Sequence, residues 1–351
     1  MHFNRKKHAK TLFLALIVTN TALAGCLGAN ESDEETLRIA FSVRDDYTSF
    51  DENPQKLADY LSEELGRNVE FYPITSDALA LQALRFGSAD MAFMDGGAAW
   101  MGWQQYGLEA MAADQKSDGR TYYNAHAYVL NDSAAAQAMN DDDDTTDPFA
   151  ELTGVASCHT GWLKSAGMLI PMGFFIGQGY AEVIGDPEDI ESLRNTIYSH
   201  FGDDASIPET GTLYYGYSGA LRCLSEEAGG VAFAKDSSLN SYCGSENLDE
   251  NEAWCLDMDR YVKLPTFGQA PSHPLMYQPD TIDAATRDAV VAALVALNDT
   301  EDGRSILENI LNTPGVVAAT TEGHLGSYGS LIGEVPGISG YLDERYGEDG
   351  S

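Results

Sequence analysis

Two separated stretches carry residue types suited to holding a hard metal ion together with an anion. Residues 157–167 read Ser-Cys-His-Thr-Gly-Trp-Leu-Lys-Ser-Ala-Gly and set a hydroxyl and a cation at a glycine-rich helix start. Backbone N–H groups at such a start point outward with partial positive charge, which suits an anion. Residues 214–220, Tyr-Tyr-Gly-Tyr-Ser-Gly-Ala, place a phenol on a tight turn, and an isolated Pro-Ser-His at 271–273 adds an imidazole.

The elements that must position these groups follow an α/β pattern. Residues 37–43 read as a strand, and Asn53-Pro54 caps a helix with Leu57, Tyr60, Leu61 and Leu65 on its apolar face, stopped by Gly66. Residues 69–74 form the next strand, Ser76 opens a helix through Leu79, Leu84 and Phe86 to Gly87, and 91–94 is a short buried strand ending on Asp95-Gly96-Gly97. Strands alternating with helices predict a mainly parallel sheet. The alternating strand 122–130 opens a second α/β block. Residues 141–144 are four adjacent aspartates, which repel and stay solvated; they lack the spaced pattern of a calcium loop. Helices return at 281–297 and 302–311, and this tail resembles the closing helices of bacterial solute-binding proteins.

Composition bounds the class. Residues 1–25 carry Arg5, Lys6, Lys7 and Lys10, then a short apolar run, and Leu23-Ala24-Gly25-Cys26 is a lipobox. The run is too short for a transmembrane span. The expected product starts at a lipid-modified Cys26, on a tether at 26–36, outside the cell and held to the outer face of its membrane by lipid only. Export would remove four basic residues and no acidic one, taking the formal charge from −35 to −39. That excludes a nucleic-acid binder, which wants a basic face. An evenly acidic, lysine-poor surface instead suits solubility in concentrated salt, a halophilic habitat. Cys158, Cys223, Cys243 and Cys255 remain, an even number in an exported chain, so two disulfides are expected in one of three pairings. About 320 residues favour two domains over one small core. Domain 1 would be 37–121 plus 274–351 and domain 2 122–273, with two hinge crossings and a cleft that closes on a ligand.

Between 122 and 277 the motifs Ser-Cys-His-Thr-Gly, Ser-Ala-Gly, Ile-Pro-Met-Gly, Tyr-Gly-Tyr-Ser-Gly-Ala, Arg-Cys-Leu, Val-Ala-Phe-x-Lys, Cys-Leu-Asp and Ala-Pro-Ser-His occur in order. This stretch resembles a transferrin lobe. Residues 37–120 resemble transferrins weakly and look equally like the first domain of phosphonate-type solute-binding proteins, as does the segment after His273. The resemblance implies an α/β, two-domain periplasmic-binding-protein-like (type II) or transferrin-lobe fold. It puts four iron ligands on Asp95, Tyr123, Tyr217 and His273, with Tyr122 as the register alternative to Tyr123. It implies a synergistic carbonate held by the Thr160 hydroxyl, the Lys164 side chain and the amides of Ala166 and Gly167. It also pairs Cys158 with Cys223 and Cys243 with Cys255.

The chemistry of that set is coherent. Ferric iron is a hard acid that favours anionic oxygen, and two phenolates, a carboxylate and an imidazole leave two octahedral positions for a bidentate anion. A bound cation lets a phenol ionise far below its usual pKa of about 10, so binding releases protons and acid weakens it. Lys164 stands where transferrins usually have arginine, which keeps the charge but loses the two-pronged fork. Lys235 matches one lysine of the acid-trigger pair in some lobes, and no lysine follows Lys263, so its partner is missing. Release would then rest on protonation of His273 and the anion, on reduction, or on a transporter.

Taken singly, each residue has a plainer role. A lone histidine or a buried tyrosine is usually structural, and Asp95 or Thr160 would serve as a helix cap. The main alternative is a phosphate- or phosphonate-type oxyanion-binding protein of an ABC transporter, using the same helix start without metal. A hydrolase built on Ser218 and His273 lacks the Gly-x-Ser-x-Gly elbow, so no enzyme activity is expected. The sequence thus reads as a monomeric ferric-binding lipoprotein that passes iron to an ABC-type permease.

Overall fold

Strand parity sorts the buried side chains into layers. In a strand, alternate residues face opposite sides, so Val231 and Phe233 enter one core while Ala232 and Ala234 enter another. A computed structural model describes residues 36–42, 54–141 and 145–347. The expected export segment, Cys26, the tether up to residue 35, Asn53 and the aspartates at 142–144 lie outside the described residues.

Ten strands occur among the described residues: β1 (Leu37–Ser42), β2 (Val69–Ile74), β3 (Met91–Phe93), β4 (Glu109–Asp114), β5 (Tyr122–Leu130), β6 (Ser157–Cys158), β7 (Val231–Lys235), β8 (Tyr261–Pro271), β9 (Pro274–Tyr277) and β10 (Val316–Ala318). They form a six-stranded sheet, β10-β4-β9-β3-β1-β2, and a four-stranded sheet, β6-β7-β5-β8. The chain passes to the second sheet between β4 and β5 and returns between β8 and β9, through only Ser272 and His273.

The expectation of a mainly parallel sheet is corrected. β1 pairs in parallel with β2 and β3, but β9 runs antiparallel to both β3 and β4, and β10 antiparallel to β4. The reason is the return crossing. β9 re-enters the first sheet directly from β8 and wedges between β3 and β4, with no crossover helix to make it parallel.

Helix ends follow local chemistry. Gly66, with φ at 65°, closes the helix Gln55–Leu65, and the Ser76 hydroxyl accepts the Leu79 N–H at the next helix. Pro54 occupies the first cap and makes no side-chain cap bond. Phe86 is exposed, because the helix Asp77–Arg85 ends before it. One core lies against both sheets and contains Ala40, Trp100, Phe175, Phe233 and Tyr328. The tail helix Thr321–Ile332 packs into it from both sides. A Cβ on Gly329 would lie 2.4 Å from Trp100 Nε1, and one on Gly173 would lie 2.0 Å from the Leu331 carbonyl oxygen.

Candidate functional site

Asp95 leaves β3 and caps the helix Gly96–Tyr106. Its Oδ1 accepts the Ala98 N–H at 2.8 Å, and its Oδ2 accepts the Tyr346 hydroxyl at 2.8 Å. The backbone N–H of Asp95 donates to Asp77 Oδ1 at 3.2 Å. Burial, helped by the charge of Asp95, pushes Asp77 up to about 6.

His273 sits in the short return from β8 to β9. Its backbone N–H donates to Asp114 Oδ1 at 2.6 Å, and its ring Nδ1 lies 3.3 Å from Asp114 Oδ2. A carboxylate acceptor puts the proton on Nδ1 and leaves the Nε2 lone pair outward, the arrangement of a metal-ligating imidazole. The Asp114 hydrogen bond raises His273 above its ordinary value. Burial alone would raise Asp114, but hydrogen bonds with His273 and Ser272 hold it below the usual carboxylate range. Asp114 escaped the sequence reading. It closes the apolar strand β4, and nothing in its spacing links it to a histidine 159 positions later.

Strand parity separates the adjacent tyrosines. Tyr123 packs with Ala125, Ala127 and Val129 against the core between the sheets, whereas Tyr128 and Leu130 face the opposite core. Tyr123 lines a cavity of about 290 Å³ with Asp95, Lys116, Lys164, His273 and Arg345, while Tyr122 lies under the Arg120 guanidinium. Tyr217, at the start of the helix Gly216–Ser225, does not line that cavity; its phenol stands behind, close enough to that of Tyr123 for each to shift the other's ionisation. Burial raises both phenols, so at neutral pH they keep their protons unless a cation draws them off. Lys235 Nζ lies 5.4 Å from the Tyr217 ring centre. Among the described residues no three His, Cys, Asp and Glu side chains gather at a metal-holding distance, so a metal here depends on the phenols.

The proposed anion seat is built from irregular backbone. Gly161 takes φ 135° and Leu163 φ 56°, and the helix begins with a π-turn, Ser165–Leu169, that continues into Ile170–Gly177. The first amides of a helix, here including Ala166 and Gly167, lack intrahelical acceptors. The Thr160 hydroxyl is buried without a hydrogen-bond partner. A Cβ at residue 167 would fall 1.8 Å from it, so only glycine leaves that space. A buried unpaired hydroxyl costs about 1–3 kcal/mol, and an oxyanion accepting from it would recover this. That suits a small anion chemically, although of the four residues expected to hold it only Lys164 lines the cavity with Tyr123. Lys164 is exposed at the rim, and its ammonium rests 5.8 Å from the Tyr215 ring centre.

Local bonds tie this seat to the Tyr217 turn. The Thr160 carbonyl accepts the Gly216 N–H at 2.9 Å. His159 is fully buried; its Nδ1 donates to the Gly167 carbonyl at 2.8 Å, so its Nε2 accepts from the Ser157 hydroxyl at 3.0 Å. Burial pulls His159 down to about 4. Cys158 is bonded to Cys223 and Cys243 to Cys255. The first bridge pins β6 to the helix that carries Tyr217.

Comparison with known proteins divides the chain. Residues 39–200 match the family model described as the phosphonate periplasmic substrate-binding protein of ABC transporters, and residues 202–276 match the transferrin model. The transferrin likeness is not confined to residues 202–276, because transferrin relatives align over half of the chain or more. Serotransferrin of Gadus morhua is 28% identical over 224 residues, 56% of this chain and 32% of that protein. Lactotransferrin of Homo sapiens is 29% identical over 195 residues, 52% and 27% respectively. Lactotransferrin of Camelus dromedarius is 28% identical over 272 residues, 70% and 35%. The matches thus span about a third of the length of these curated relatives. Among solved structures, XAC2383 from Xanthomonas citri, bound to a chloride ion, aligns with TM-score 0.52 at 15% identity, covering 88% of this chain and 99% of that one. The architecture is the two-domain, type II periplasmic-binding-protein-like fold, and the chain resembles two families of binding and transport proteins at once, the transferrins and the phosphonate-type ABC substrate-binding proteins.

Proposed function

We propose that this chain is an extracytoplasmic, lipid-anchored ferric-binding protein that holds its cargo with a synergistic carbonate. Asp95, Tyr123, Tyr217 and His273 would ligate iron, and Thr160, Lys164, Ala166 and Gly167 would hold the anion. Residues 37–121 with 274–351 would form one domain and 122–273 the other, the tail helix Thr321–Ile332 lying across both. The observation that carries this reading is the phenol pair. Tyr123 and Tyr217, distant in sequence, come together as neighbouring phenols beside a cavity that Asp95, Tyr123 and His273 share. Three ionisable oxygen ligands and one imidazole match a hard trivalent ion. An acidic, lipid-tethered monomer of this type would hand its iron to an ABC-type permease.

Titration of the purified protein with a ferric chelate, with and without bicarbonate, tests the reading. A saturable red-brown tyrosinate band that needs bicarbonate is expected, and Tyr123→Phe or Tyr217→Phe should each abolish it. Normal ferric affinity in either variant would remove the ligand assignment. The match of residues 39–200 to a phosphonate-binding model favours a second reading, a metal-free oxyanion receptor using the same helix start. A colourless protein that binds phosphate or phosphonate would establish that alternative.

A further inference from the structure

Lys164 borders a second space besides the cavity it shares with Tyr123. This second cavity, about 480 Å³, is walled by Trp162, Lys164, Arg194, Glu209, Thr210 and Tyr215. Ligand pockets run to about 300–1,000 Å³, so the volume suits a small organic molecule and exceeds what a single oxyanion fills. The lining runs against the bias of the chain. With 20 basic residues against 55 acidic ones, two of the basic ones face this one space.

Both cations are held in place. The Arg194 guanidinium lies 4.2 Å over the Trp162 ring, and its Nε donates to Glu191 at 3.1 Å, which leaves its other N–H groups for further partners. The Lys164 ammonium rests against Tyr215, and hydrogen bonds from Thr210 and Lys164 pull that phenol below its ordinary value. The Trp162 ring therefore already carries a cation on a face, which disfavours an aromatic ligand stacked there. Cations anchored on two different rings call for a ligand with more than one carboxylate. Glu209 repels a ligand made only of carboxylates and instead accepts a hydroxyl proton.

We propose that this cavity binds a small hydroxypolycarboxylate of citrate size, with Arg194 and Lys164 on its carboxylates and Glu209 accepting its hydroxyl. The site does not depend on iron in the neighbouring cavity, although Lys164 is common to both. An occupant here would draw the ammonium away from the proposed carbonate.

The test is calorimetric titration of citrate into the metal-free full chain at fixed ionic strength, for wild type, Arg194→Gln and Lys164→Gln. Saturable binding is expected, weakened about tenfold or more in each variant by loss of a charge-assisted hydrogen bond. No binding at millimolar citrate, or equal affinity in Arg194→Gln, would overturn the assignment. Weakening in Lys164→Gln but not in Arg194→Gln would put citrate in the cavity with Tyr123 and overturn it as well. A ferric titration of Arg194→Gln, expected to match wild type, shows the variant to be folded. Failure of the wild type to colour would sink the ferric reading and leave the citrate result standing.

Discussion

Asp95 and His273 come from the six-stranded sheet and rest on ordinary devices: a helix cap, a strand end, hydrogen bonds to Asp77 and Asp114 and one from Tyr346. Thr160, Lys164 and Tyr217 come from the four-stranded side and sit on backbone that few sequences adopt, with a π-turn, two positive-φ residues and a disulfide behind them. The difference explains where motifs are dense. A constrained backbone allows few residues at each position, so its sequence stays recognisable. A cap or a strand end tolerates many, so its sequence does not.

The sharpest way to break this contrast is to add one methyl on each side. Gly167→Ala, whose Cβ would meet Thr160 Oγ1 at 1.8 Å, should lose the bicarbonate-dependent ferric band. Gly97→Ala, whose Cβ has 3.3 Å to Asp95 Oδ1, should retain it. Normal colour in Gly167→Ala would show that the irregular side is not the stringent one.

Stability comes next. Replacing Cys158 and Cys223 by alanine frees a 65-residue loop and should cost about 4 kcal/mol, against about 3 kcal/mol for the 12-residue loop of Cys243 and Cys255. Urea midpoints of the two double variants check the order. Reversal would mean that the Cys158 staple is not what holds the Tyr217 turn.

The two sides should also respond to pH with opposite sign. His159, lowered to about 4, contributes fully above the unfolded value of about 6.5 and loses its contribution as pH falls towards 4, a term of about 3 kcal/mol. Asp77, raised to about 6, contributes below the unfolded carboxylate value and loses that contribution as pH rises through about 6. Relative to wild type, unfolding free energies between pH 4 and pH 7 (about the window of both groups) should fall with rising pH in His159→Gln and rise with it in Asp77→Asn. The smallest effect is Tyr346→Phe. Loss of its hydrogen bond to Asp95 should cost about 1 kcal/mol and leave the ferric band in place.

Much of the frame was legible in the sequence. The strands at 69–74 and 122–130, the Gly66 stop and the Ser76 cap follow from periodicity and cap chemistry, which act over a few residues. The mixed pairing of the first sheet was not legible, because the direction of β9 depends on where β8 releases the chain. The choice between Tyr122 and Tyr123 also waited on which face of β5 meets the core.

The sequence by itself determined the donor types and the glycines that an irregular turn requires. Only the tertiary structure decided that Asp95, Tyr123 and His273 share one cavity with Tyr217 behind it, and that Asp114 orients the imidazole while Tyr346 holds the carboxylate. The physical reason is range. Turn and cap preferences are written within a few neighbouring residues, whereas these contacts join positions as many as 251 apart, and only sheet order together with helix packing brings them together.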